Sequence, residues 1–502
     1  MDRRITRAVI VGALAVAVGS AAPAQADAGA PTSPWAGWLG STATDPVVTL
    51  KQVRAVIGAD TGAAASLTGK GVGVALIDTG VASVPGLPAS RIVNGPDLSL
   101  DSQSPALRYL DAYGHGTHMA GIIVGNDTAT GTKGMAPDAR LTSIKVGTAN
   151  GAADVSQVIA AVDWVVQHRN DDPANPIKVI NLSYGSGGQA QPWNDALGFA
   201  VERAWQAGIV VVAAAGNDGS SGATALANPA SNEWVLTVGA AATKGTPAVA
   251  DDALAAFTNQ PLRGGKQINV LAPGVSILSL SVPGSYLDGA YPAARSGDTL
   301  FRGSGTSQAA AVASGAVALL WQARPTATPD QIKEWVVRGA SYIPNGIAAN
   351  YGLGQLNVNA ALSRTGTMTQ KQSWSRSTGL GELNTARGDS RLVLDGVPLD
   401  GDATVWGPFD KNAWTAKPAW SGGSWLGTRI AGDGWTGTSW ASRTWAPAVW
   451  TARPWSDAAT WTDPAWEGRA WTGRRWTGQA WAGGSWTGRA WASDDWASGT
   501  WG

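Results

Sequence analysis

Between residues 56 and 364 the chain alternates two kinds of apolar pattern. Val72–Ile77, Leu141–Val146, Ile177–Leu182, Ile209–Ala214 and Val235–Val238 are short runs, mostly apolar and β-branched, each bounded by Gly, Asn or Asp. Such runs predict strands buried on both faces, as in a parallel sheet. Asp154–His168, Asn194–Ala207 and Asp330–Val337 carry a helical period instead. In the first of these, Val155, Val158, Ile159, Val162 and Val166 recur at steps of three and four and mark one apolar face. Strand and helix in alternation predict an α/β domain of three layers, a mostly parallel sheet between two sets of helices. Ligands of such sheets bind beyond the carboxyl ends of the strands. Asp78, Ser183 and Asn217 each follow a predicted strand directly, which makes that edge the candidate cleft.

The flanks read differently. Arg3, Arg4 and Arg7 precede the apolar run Ala8–Val18, and Ala24-Gln25-Ala26 offers a small-residue cleavage site. Residues 1–26 are therefore expected to be a signal peptide, which implies a secreted, extracellular protein. Residues 27–55 form a short N-terminal segment rich in small and turn-forming residues, and 365–405, polar and weakly periodic, are expected to be a linker. Residues 406–502 are a Trp-rich repeat region. Trp recurs every five residues from 435 to 501, except for one step of six between 455 and 461. On a helix that spacing rotates about 140° per step, at about 100° per residue, so the rings share no face. A five-residue strand-turn unit would align them, as in a small β-solenoid. Regularly presented Trp suits stacking on sugar rings or another apolar surface, which points to cell-envelope or polysaccharide contact. A Gly-rich tail with no fixed fold is the plainer alternative.

Composition narrows the chemistry. The 502 residues carry 36 basic and 36 acidic side chains, so neither nucleic acid nor a polycation is an obvious partner. There is no Cys, which excludes disulfides and thiolate catalysis. No segment beyond the signal peptide is apolar and long enough to predict a membrane span.

Three small-residue motifs hold an acid, a histidine and a serine in that order: Asp78-Thr79-Gly80, Gly114-His115-Gly116-Thr117-His118, and Gly305-Thr306-Ser307-Gln308. A serine hydroxyl needs a base within hydrogen-bond reach, and the base needs an orienting acceptor. Histidine suits the first role and a carboxylate the second. Ser307 opens an Ala-rich segment, so a helix N-terminus there would lend amide donors to a developing oxyanion. Asn217, in Ala214-Ala215-Gly216-Asn217, offers a side-chain donor. Simpler readings are weaker. A single Asp-Thr-Gly cannot build a carboxylate dyad, and His115 with His118 lacks a nearby third metal ligand.

These motifs, with Val74-Ala75-Leu76-Ile77 before Asp78, Ala272-Pro273-Gly274-Val275, and Gly303-Ser304 before Gly305, resemble those of the subtilisin-like serine peptidases, the subtilases. The resemblance spans the predicted catalytic domain, 56–364. It implies a serine endopeptidase acting on protein or peptide substrates, with Asp78, His115 and Ser307 as the triad and Asn217 at the oxyanion hole. It implies that Ser183-Tyr184-Gly185 and Ala214-Ala215-Gly216 sandwich the substrate chain and flank its P1 side chain. No cofactor is implied for the chemistry. Structural calcium is plausible in loops such as 126–134, with no ligand set identified. Ala311 and Val312 stand where the family usually has Pro and His, and the short N-terminal segment replaces the folded prodomain of many secreted members. The competing function is a surface-binding protein in which the Trp repeat acts and the peptidase domain is latent or processes only its own chain.

Overall fold

The computed structural model describes residues 46–416, apart from 104–106, 150, 188–190, 262–263, 344–353, 365–370, 389–391, 395–396 and 406. The signal-peptide expectation and the Trp repeat beyond 416 lie outside the described residues.

The centre of the domain is a sheet whose strands in chain order are β1 (Gly73–Asp78), β2 (Ile92–Asp97), β3 (Arg140–Lys145), β4 (Ile177–Leu182), β5 (Val210–Ala214), β6 (Leu236–Ala242), β7 (Val270–Pro273), β8 (Ser341–Tyr342) and β9 (Gly354–Gln355). Their spatial order is β8-β9-β7-β6-β5-β4-β1-β3-β2. Every pairing from β9 to β2 is parallel. β8 and the short strand Ala253–Leu254 add antiparallel edges on β9 and β6. All residues of β1 and β5 are buried, which requires cover on both faces of the sheet. That matches the pattern of their sequences.

Helices α1 (His115–Val124) and α4 (Thr306–Ala323) pack on each other and on the sheet. Helices α2 (Val155–His168) and α3 (Ala196–Gln206) form a second pair. α5 (Pro329–Gly339) lies against α4 and β5. Their starts are written in the sequence: Asp154 and Thr328 close capping boxes with Gln157 and Gln331, and Asp195 accepts from the amides of Leu197 and Gly198. α4 runs unbroken through Ala311 and Val312, both fully buried.

Two expected boundaries are corrected. The domain does not begin at 56: Val48–Thr49 already pairs in parallel with Ile277–Leu278, and Leu50–Val56 is a helix. The Arg54 guanidinium is buried there, bonding to Asp60 and to the carbonyls of Gly134 and Met135. Nor are the described parts of 365–405 a linker. The described residues between 371 and 416 form a strap on the domain. Gln372 bonds to Lys333, Ser377 to Glu202 and Asp195, and Gly381 to Asn194. Arg387 pairs with Asp154, and Trp414 packs against Phe199 with ring centroids 4.9 Å apart. Polar composition misled here because the buried polar groups are paired rather than solvated.

Candidate active site

β1 ends on Asp78, and α1 begins on His115 beside it. His115 Nδ1 donates to Asp78 Oδ1 at 2.7 Å, with both side chains buried. The approach depends on glycine at two places. Gly114 caps α1 at φ +108°, a left-handed conformation that a side chain disfavours. A Cβ on Gly116 would lie 2.0 Å from the carbonyl oxygen of Gly80. Burial pushes the Asp78 carboxyl above its ordinary range, and the adjacent His115 opposes that push.

Beneath this pair sits Asp111, which the sequence reading missed. It accepts from Thr79 Oγ1 (2.8 Å), from the amides of Gly114 (2.7 Å) and Thr117 (2.7 Å), and from Thr117 Oγ1 (2.7 Å). Thr79 Oγ1 in turn accepts from the Gly116 amide at 2.9 Å. One carboxylate therefore ties the end of β1 to the first turn of α1 and fixes the separation of Asp78 from His115. Its only sequence signal is its place four residues before His115. Lys145, also missed, is buried nearby, within 3.0 Å of Asp101 and of the Thr79 carbonyl. Burial lifts Asp101 to about 6 in spite of that lysine.

Ser307 is the second residue of α4 and fully buried. Its Oγ lies 3.4 Å from the Ser183 carbonyl oxygen, and Ser183 Oγ donates to the Ser307 carbonyl at 3.3 Å. Asn181 Nδ2 donates to Ser183 Oγ, and Ser314 Oγ donates to Asn181 Oδ1, both at 2.9 Å, so α4 is pinned to the end of β4. Asn217 follows β5. Its Oδ1 accepts from both the amide and the hydroxyl of Thr306, each at 2.9 Å. With the acceptor end engaged, Nδ2 is left as a buried donor with no partner among the described residues.

The segments expected to flank a substrate are all close by, in different states. Ser183 touches Ser307. Tyr184 and Gly185 are buried. Ala214 closes β5, and the amide of Ala215 donates to Val238 while its carbonyl accepts from Ala227. Gly216 donates to Thr306 Oγ1 and accepts from Asn259. The backbone of 215–216 is thus engaged inside the domain.

His118 is a structural neighbour. Burial holds its imidazole well below its ordinary pKa, hence neutral, with its ring edge-on to Phe301. Among the described residues no group of three or more His, Cys, Asp or Glu could hold a metal ion. In the 126–134 loop both oxygens of Asp127 bond within the turn, to the Ala129 amide and Thr130 Oγ1. A calcium ion needs six to eight oxygen ligands, and one committed carboxylate does not fit that need.

Comparison with known proteins agrees with the motifs. The chain is 37% identical over 301 residues to serine protease AprX of Bacillus subtilis (strain 168), covering 58% of this chain and 66% of that protein. It is 34% identical over 295 residues to subtilisin E of the same organism, covering 59% and 66%. It thus spans just under two thirds of the length of either relative. The crystal structure of a cold-adapted subtilisin-like serine proteinase aligns with a TM-score of 0.44 at 29% identity, covering 58% of this chain and 90% of that one. The sequence model of the subtilase family, Peptidase_S8, matches residues 69–381, a span that contains Asp78, His115, Asn217 and Ser307. That span is more than half of the chain, and the chain belongs to the subtilase family.

Proposed function

We propose that this protein is a secreted serine endopeptidase that hydrolyses peptide bonds through an acyl-enzyme on Ser307. The observation that carries the reading is the buried 2.7 Å contact of His115 with Asp78, at the strand edge where α4 presents Ser307. Asp78 holds Nδ1 protonated, which leaves Nε2 to take the Ser307 proton as Oγ attacks the scissile carbonyl carbon. Negative charge then develops on the carbonyl oxygen. The Asn217 Nδ2 group and the Ser307 amide at the start of α4 are the donors for it. As the tetrahedral intermediate collapses, His115 gives its proton to the leaving amine. Water, deprotonated by the same His115, then releases the acyl group and restores the serine.

Export rests on the leader-like residues 1–26, and the Trp repeat is proposed to hold the enzyme near the cell envelope or a polysaccharide.

The test is intact-mass analysis of the secreted protein before and after a fluorophosphonate, with Ser307→Ala as control. One adduct on the wild type, none on the variant, and loss of peptide turnover in the variant are expected. A folded wild type that takes no adduct and cleaves no peptide would sink the reading, and the masses also report whether 1–26 have been removed.

A further inference from the structure

The strap reaches the cleft, and this gives the proposed enzyme a property of its own. Ser183 touches Ser307, and Tyr184, Gly185 and Ser186 follow it in the chain, all four of them buried. Ser186 is already engaged on two sides. Its backbone pairs with Asn228, and its Oγ donates to the Ala386 carbonyl at 2.6 Å. Ala386 belongs to the short helix Leu383–Arg387, which packs against both α2 and α3. That helix is anchored by Arg387. Its Nε donates to Asp154 Oδ2 at 2.6 Å, Nη1 donates to Gly401 at 2.8 Å, and Nη2 donates to the Ala403 carbonyl. Arg387 and Asp154 are almost wholly buried. Tyr184 is fully buried.

Resting on the peptidase reading, in which 183–185 lies along the substrate, we infer that the Leu383–Arg387 helix is the acyl-side end wall of the cleft. His115 protonates the leaving amine, so the acyl side extends away from it along 183–185. Ser186 stands three residues beyond Ser183, and at the extended rise of about 3.3 Å per residue that stretch spans at most about 10 Å. It accommodates about three substrate residues before the strap stops it. The enzyme therefore selects for what lies within about three residues of the scissile bond and gains nothing from longer acyl segments. Arg387, through its hold on Asp154 and the 401–403 backbone, is the residue that fixes the wall.

The experiment is a series of acylated peptide p-nitroanilides with one to five residues before the scissile bond, measured with the full chain. The expected kcat/KM rises up to three residues and then stays within about threefold to five, because remote contacts assist only where they are made. A rise of about tenfold or more between three and five residues overturns the wall and leaves the peptidase reading intact. Turnover of no member of the series overturns the peptidase reading, and the wall with it. In the double variant Asp154→Ala with Arg387→Ala, which removes the pair without leaving a lone buried charge, the five-to-three ratio should rise about tenfold. A folded double variant whose ratio does not move overturns the role given to Arg387. If the double variant does not fold, the wild-type series still decides.

Discussion

Asn217 and Thr306 fix each other: Oδ1 of the asparagine accepts two hydrogen bonds from the threonine, at 2.9 Å each, immediately before Ser307. The contact settles the orientation of the amide and leaves its NH2 group without a partner among the described residues. Asn217→Leu should therefore lower kcat by about 10²–10³-fold with KM little changed. That range is the cost of removing an oxyanion-hole donor in subtilisin, the role proposed here for Asn217. Steady-state kinetics on one peptide substrate checks it. A loss that appears in KM alone would mean that Asn217 binds substrate rather than the oxyanion.

Gly116 tests how tightly the acid and the base are set. Its missing Cβ is what lets the Gly80 carbonyl approach, since an added methyl would sit 2.0 Å from that oxygen. The two atoms belong to backbone next to His115 and to Asp78, so relief comes by moving α1 from the end of β1. Gly116→Ala should cost about 10²-fold in kcat, the scale of an ångström's misplacement at a reacting group. The rate of fluorophosphonate labelling should fall with it. Wild-type kcat in the alanine variant would mean that the Asp78–His115 contact tolerates such a shift.

The pH dependence of stability has a component of known sign under the strap. Burial raises Glu202 to about 7, against the pull of hydrogen bonds from Asn232 and the Ser377 amide. The folded form thus holds a proton that the unfolded chain gives up near its ordinary 4.5. Glu202 contributes most below that value, and its contribution falls as pH rises to about 7. His118, buried neutral, acts oppositely: its part is lost as pH falls below 6.5. The difference between wild type and Glu202→Gln isolates the first effect. Urea midpoints should fall less steeply between pH 4.5 and 7 in the variant; parallel slopes would contradict the raised carboxyl.

Legibility in the sequence followed periodicity and motif. β1, β4 and β5 were readable because continuous β-branched runs have few other uses, and α2 because one of its faces is apolar. α1 was not readable as a helix. All ten of its residues are buried and two are glycine, so it shows neither an amphipathic period nor a strong propensity. Asp78, His115, Asn217 and Ser307 stand in motifs that constrain their neighbours. Lys145 does its work through contacts distant in sequence and Asp111 joins its own loop to Thr79, and a lone charged residue gives no sign that it is buried. The strap was invisible for the same reason.

Arg387 and Asp154 give the sharpest test that the strap belongs to the fold. The pair is 2.6 Å apart and both members are about 1% exposed. Removing one charge leaves the other buried and uncompensated, so Arg387→Ala should cost about 3–5 kcal/mol of unfolding free energy. Asp154→Ala should cost a similar amount and about 1 kcal/mol more, because Asp154 also caps α2 through Ser156 and Gln157. The double variant should be far less destabilised than the sum, since it leaves no orphan charge. Urea unfolding in a Ser307→Ala background, where self-cleavage cannot confuse the baseline, measures all three. Additive costs, or a change below about 1 kcal/mol for Arg387→Ala, would mean that the pair is solvated and the strap lies loosely on the domain.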